Sequence, residues 1–191
     1  MKLLREYIRE LLTESAVHPK IMSMIDELES NGGYVEILLD RVMVWQPTEN
    51  NPRRWVAMVV FETSASAGNG DCAGASAMVA SSNAKTGMGP LAYDVAIELT
   101  GGLGLMPDRF TVSDSAKAVW SHYYNNRPDV ETVQTDNFDN QLTPEEEDNC
   151  VQSSSRRDKG PENFHQSVLS KVYRKSGTPV MDELRKRGML K

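Results

Sequence analysis

Residues 72–100, CAGASAMVASSNAKTGMGPLAYDVAIELT, decide how the rest of the chain is read. A run of small and apolar residues passes through Gly87-Met88-Gly89 into Pro90, and an apolar-periodic helix follows. Glycine permits positive φ and close approach of the backbone. Proline suits the first helical turn, where its missing N–H would have no partner in any case. Strand, glycine turn and proline-opened helix together aim free N–H groups and the positive end of a helix dipole at one point, which favours an anion such as phosphate. A tight strand-to-helix connection without a ligand has the same local pattern.

Outward from this segment, strand-like runs precede it and helix-like runs follow. Tyr34–Leu39, Arg41–Gln46 and Arg54–Thr63 are rich in Val, Ile, Trp and Phe and predict strands, and Cys72–Ser81 predicts a fourth. Pro47–Pro52 and Ser64–Asp71 predict loops. Pro90–Thr100 predicts a helix ended by Gly101, Gly102 and Gly104, and Leu105–Arg109 a short strand. Ser115–Tyr124 predicts a further helix and Val130–Gln134 a last strand. Ahead of the strands, Leu3–Thr13 has apolar side chains at amphipathic spacing, and Lys20–Ser30 predicts a second helix stopped at Asn31-Gly32-Gly33. Beyond Gln134 lie an acidic stretch, a linker over Ser153–Pro161, and two predicted small helices over Phe164–Lys191, split by Gly177 and Pro179. The expected organisation is an N-terminal amphipathic helix (1–18), a core (19–135), and an acidic loop, linker and helical tail (136–191).

Composition narrows the function classes. The 191 residues carry a net charge of -6, with a pI near 5.2, which argues against a general nucleic-acid binder. No apolar run is long enough to cross a bilayer, and Arg5, Glu6, Arg9 and Glu10 interrupt the apolar residues that a signal peptide would need. The two cysteines, Cys72 and Cys150, lie far apart without paired spacing, so neither a zinc site nor a disulfide framework is expected. Reduced thiols and a cytoplasmic location follow.

The order of antiparallel strands, glycine loop, helix, strand and helix over Val79–Thr135 resembles the core of the GNAT N-acetyltransferase superfamily, whose signature is Arg/Gln-x-x-Gly-x-Gly/Ala. The matching window is Ala84-Lys85-Thr86-Gly87-Met88-Gly89, with both glycines in place and Ala84 where the family has Arg or Gln. The resemblance implies an α+β fold, a mixed and mainly antiparallel sheet flanked by helices. It implies acetyl-CoA or another acyl-CoA as cofactor and no metal. Lys85, Thr86, Gly87, Met88 and Gly89 would hold the pyrophosphate, and the strand edge at Met78, Val79 and Ala80 would pair with pantetheine amides. The family's second mark, Asn-x-x-Ala-x-x-aliphatic-Tyr, aligns with Ser113–Trp120, and Trp120 stands in the tyrosine place. An indole donates a hydrogen bond but delivers no proton, so Tyr123 or Tyr124, one turn on, would take that role. The base would be Glu62, by analogy of position, or His122, whose ordinary pKa lies near neutrality. A surface role for His122 is the alternative. The acceptor would be an amine on a small molecule or a protein.

A second resemblance concerns MKLLREYIRELLTES, which is similar to the targeting peptides of internal capsid proteins in T-even-like tailed phages, cut after Leu/Ile-x-Glu. Ile8-Arg9-Glu10 and Leu12-Thr13-Glu14 fit that form. It implies a virion protein that associates with capsid components, and with the Ala84 and Trp120 departures it gives a non-catalytic alternative to an acyltransferase. A cysteine hydrolase using Cys72 with His165 or His122 is a third reading, set against a buried inert thiol. Asp94 and Glu98 share one face of the glycine-loop helix, expected to be solvated, with amine binding or base chemistry as the alternative. Asp108-Arg109 is a site pair or a structural ion pair.

Overall fold

The structure, a computed structural model, describes residues 17–63, 77–85, 87–108, 112–135 and 167–191. Its helices are α1 (Pro19–Ser30), α2 (Gly89–Leu99), α3 (Asp114–Asn126) and α4 (Pro179–Lys186). The strands are β1 (Tyr34–Leu38), β2 (Arg41–Trp45), β3 (Trp55–Thr63), β4 (Ala77–Ala84), β5 (Leu105–Met106), β6 (Glu131–Gln134) and β7 (Lys171–Arg174). They form one seven-stranded sheet in the order β1-β2-β3-β4-β5-β7-β6. Only β4 and β5 run parallel. The fold is therefore α+β, a mainly antiparallel sheet flanked by helices. No helix among the described residues is long and apolar enough to cross a membrane.

Alternation sets the faces of the sheet. Val35, Val42, Val44 and Val59 are buried and join one core with Ile21, Ile25 and Leu28 of α1, Leu91 and Val95 of α2, Trp120 of α3 and Leu184 of α4. Their neighbours in β1 to β3, including Tyr34, Met43, Trp45, Met58 and Val60, are half-exposed. α2 is the central helix: Leu91 through Glu98 are all buried, Asp94 and Glu98 among them. His18 caps α1, its Nδ1 accepting from the Lys20 N–H at 3.3 Å. Gly33 is required where α1 turns into β1, since a Cβ there would stand 2.3 Å from Leu28 Cδ1 and 2.6 Å from the Trp45 carbonyl oxygen.

Three expectations are corrected. The fourth strand reaches Ala84, because Ser82, Asn83 and Ala84 pair with Val59, Met58 and Ala57. Of the strand expected at Leu105–Arg109, Leu105–Met106 is strand, Pro107 and Asp108 are not, and Arg109 lies outside the described residues. The first of the two C-terminal helices is instead a 3-10 turn (Val168–Ser170) leading into β7, which enters the sheet between β5 and β6. Its Val and Tyr favour a pleated, half-buried position, and it pairs along β6 from Glu131↔Arg174 to Gln134↔Lys171. The last residues extend the opposite edge: Val35 N–H donates to Met189 O at 2.8 Å and Ile37 N–H to Lys191 O at 3.0 Å. The expected N-terminal helix, the Ser64–Asp71 loop and the acidic stretch lie outside the described residues.

Candidate functional site

The site begins with an irregularity in β4. Val60 pairs with Ser81 and Phe61 with Val79, so Ala80 stands without a partner on β3. One extra residue bends and twists the bulged strand. On its other edge β4 meets β5 only at Ala77↔Leu105 and Met78↔Met106. From Val79 onward that edge has no strand partner among the described residues. It borders a cleft of about 240 Å³ lined by Val79, Ser81, Ser82, Asp108, Ala116 and Trp120. A second cleft of about 130 Å³ continues toward Asn83, Ala84 and Gly89. Ser82, Tyr93, Ser113 and Ala116 line both.

At the Ala84 end the glycine turn opens α2. Gly87 has φ +77°, which an L side chain rarely adopts, and Met88 caps the helix with no side-chain hydrogen bond. Among the described residues no side chain caps the first-turn N–H groups, and no acid sits in that turn. Lys85 N–H bonds the Val56 carbonyl at 2.8 Å, while its ammonium lies 4.1 Å from the Trp55 ring centroid. Across the cleft, Ser113 caps α3 by accepting from the Ala116 N–H at 3.2 Å. Trp120 forms the floor, edge-on to Tyr93 at 5.2 Å and 4.7 Å from the Tyr173 ring. Tyr93 donates its hydroxyl to Ser82 Oγ at 2.9 Å. Burial pushes the Tyr93 phenol above its ordinary pKa, with the Ser82 bond opposing, so it stays protonated.

The expected solvated face of α2 is corrected. Asp94 and Glu98 are buried in a charge network that closes around them. Arg127 donates to both Asp94 oxygens at 2.7 and 2.8 Å and to Asp129. Lys175 bridges Asp94 at 2.9 Å and Glu98 at 2.6 Å. The Glu98 carboxylate also accepts the Val180 and Met181 N–H groups, capping α4 from another helix. Carboxylates so fully matched by bases and amides are structural. Sequence reasoning missed them because the partners lie 33 and 81 residues away. A polar cleft of about 510 Å³ lies against this network, bordered by Asp129, Glu131, Arg174 and Lys175. It is remote from the bulge in sequence and shares no lining residue with the β4 clefts.

The expected site residues fall into two groups. Val79, Ala80 and Gly89 line the clefts, and Lys85, Gly87 and Met88 form the turn beside them. Met78 is drawn into pairing with β5, so the free edge starts one residue later than expected. None of the four expected catalytic side chains lines either cleft. Tyr123 is fully buried and bonded to Asp94, and burial followed by the Asp94 charge raises its pKa well above the ordinary value. Tyr124 is 40% exposed, with Lys171 Nζ 5.9 Å from its ring centroid. His122 is half-buried beside Tyr123, its pKa lowered first by burial and then by Lys20 and Arg127. Glu62 pairs with Met78 and shares its face, which packs with Met106 and Val172 rather than with Val79. Thr86, Arg109, Cys72, Cys150 and His165 lie outside the described residues. Among the described residues no His, Cys, Asp or Glu cluster is arranged to hold a metal. Comparison with family models, curated proteins and solved structures returned no match.

Proposed function

We propose that this chain binds an acyl-CoA in the β4–α3 cleft, in the manner of the GNAT fold that its element order resembles. The observation that carries the reading is the bulged β4, whose edge from Val79 has no strand partner among the described residues and faces a cleft that reaches Gly89. Unpaired strand N–H and C=O groups suit the two amides of a pantetheine arm, as an added strand would be recognised. The uncapped start of α2 suits the pyrophosphate, with Lys85 able to leave the Trp55 face for it. N–H groups near Val79 would polarise a thioester carbonyl.

Acyl transfer to an amine also needs a base and a donor to the departing thiolate. The four side chains expected for those roles lie away from the clefts, and Trp120 occupies the floor. The same observation favours a second reading, a non-catalytic virion or capsid-associated protein that keeps the fold. Calorimetric titration of the full chain with acetyl-CoA tests binding. Incubation with acetyl-CoA and mixed amines, followed by mass spectrometry, tests transfer. Protein from its native source that begins at Leu11 or Ser15 would support the virion reading, and a full-length mass would count against it.

A further inference from the structure

We infer that Ser82, oriented by Tyr93, is the residue that recognises an amide carbonyl of the ligand lying along β4, an inference that rests on the acyl-CoA reading above. The two hydroxyls are 2.9 Å apart and share one hydrogen bond. A phenol is the stronger acid and the better donor of the two, so Tyr93 gives its proton to Ser82 Oγ. The Ser82 proton is then left over. No acceptor for it lies within hydrogen-bonding distance among the described residues, and Ser82 is exposed while Tyr93 is buried. Ser82 lines both clefts, so its remaining proton is available to a ligand there.

Position strengthens the assignment. Ser82 and Tyr93 border both clefts, so their bond marks the junction between the Val79 end and the Gly89 end. A chain running from the glycine turn to Val79 passes this junction. Tyr93 is held there by its edge-on contact with Trp120, so the acceptor side of Ser82 Oγ is already occupied and its proton is what it offers a ligand. The ligand group that matches a hydroxyl donor beside strand amides that have no strand partner among the described residues is the carbonyl of a secondary amide, which the pantetheine arm carries and the nucleotide end does not.

Calorimetry on the full chain with two probes, CoA and 3′,5′-ADP, separates the arm from the nucleotide end. Ser82→Ala is expected to weaken CoA about three- to tenfold, the worth of one hydrogen bond, and to leave 3′,5′-ADP unchanged. Ser82→Thr, which keeps the hydroxyl, restores CoA binding. Tyr93→Phe weakens CoA in the same direction, and the double variant loses less than the sum because the two residues act as one unit. Wild-type affinity for CoA in both Ser82→Ala and Tyr93→Phe, or equal loss of both probes, overturns the role of Ser82 and leaves acyl-CoA binding standing. Wild-type protein that binds neither probe overturns the acyl-CoA reading and this inference with it.

Discussion

Tyr123 Oη lies 3.1 Å from Asp94 Oδ2, with both side chains buried in the core. The same hydroxyl is 3.1 Å from the Pro90 carbonyl oxygen. One phenol thus ties α3 to the first turns of α2, and it does so away from the cleft. Trp120, three residues earlier and so on the same side of α3, presents its indole to the cleft instead. Tyr123 is tied into the core, and Trp120 lines the cleft.

Tyr123→Phe should therefore cost about 1 kcal/mol of stability, the value of one net hydrogen bond, and leave acetyl-CoA affinity unchanged. Urea unfolding and calorimetry check the two halves. A large loss of affinity with little loss of stability would return Tyr123 to the site.

Asp94→Ala should cost more, on the order of 3–5 kcal/mol, because it strands Arg127 and Lys175 in the core without a shared carboxylate. Asp94→Asn keeps the shape and loses the charge, and should fall between the variant and the wild type. Urea midpoints measure both. Wild-type stability in Asp94→Ala would show that the network is dispensable.

Asp129 supplies a pH dependence. Burial draws its pKa up, and the Arg127 hydrogen bond and charge outweigh burial and hold it below the ordinary aspartate value. A carboxylate with a depressed folded-state pKa stabilises fully above its unfolded value, about 3.9. That contribution disappears as pH falls through the folded value. Stability should decline on acidification below about pH 4, and Asp129→Asn should flatten that part of the curve. Urea midpoints from pH 7 downward measure it, and an unchanged acid slope in Asp129→Asn would contradict the assignment.

The legible part of the fold was local. The strands β1 to β3 follow from β-branched and aromatic runs between turn residues, and α1 from its stop at Asn31-Gly32-Gly33. β7 was not legible: Lys171–Arg174 is four residues long, and what makes it a strand is the edge of β6 and the single register point Leu105↔Tyr173 with β5. Nor was the bulge at Ala80, which exists only in register against Val60 and Phe61. In the site, the glycine turn was readable from Gly87 and Gly89. The Asp94–Glu98 pair read as a solvated face because acids four apart on a helix usually are one, and the bases that bury them come from α3's end and from beyond β7. Tyr93 and Ser82 carried no signal at all, since a tyrosine on an apolar helix and a serine in a small-residue run are ordinary in isolation.

Acyl-CoA binding at the glycine turn and along the β4 edge from Val79 has a direct thermodynamic consequence. Thermal melts of the full chain with and without acetyl-CoA test it most directly, beside Gly89→Val, whose added side chain would start 3.1 Å from Ala84 Cβ and crowd the turn. A ligand that binds only the folded state at about a hundred times its Kd stabilises by about 2.7 kcal/mol, which is about 5–10 °C in Tm for a domain of this size. A rise of that order is expected in the wild type, and its loss in Gly89→Val. No shift in the wild type at millimolar acetyl-CoA would contradict it.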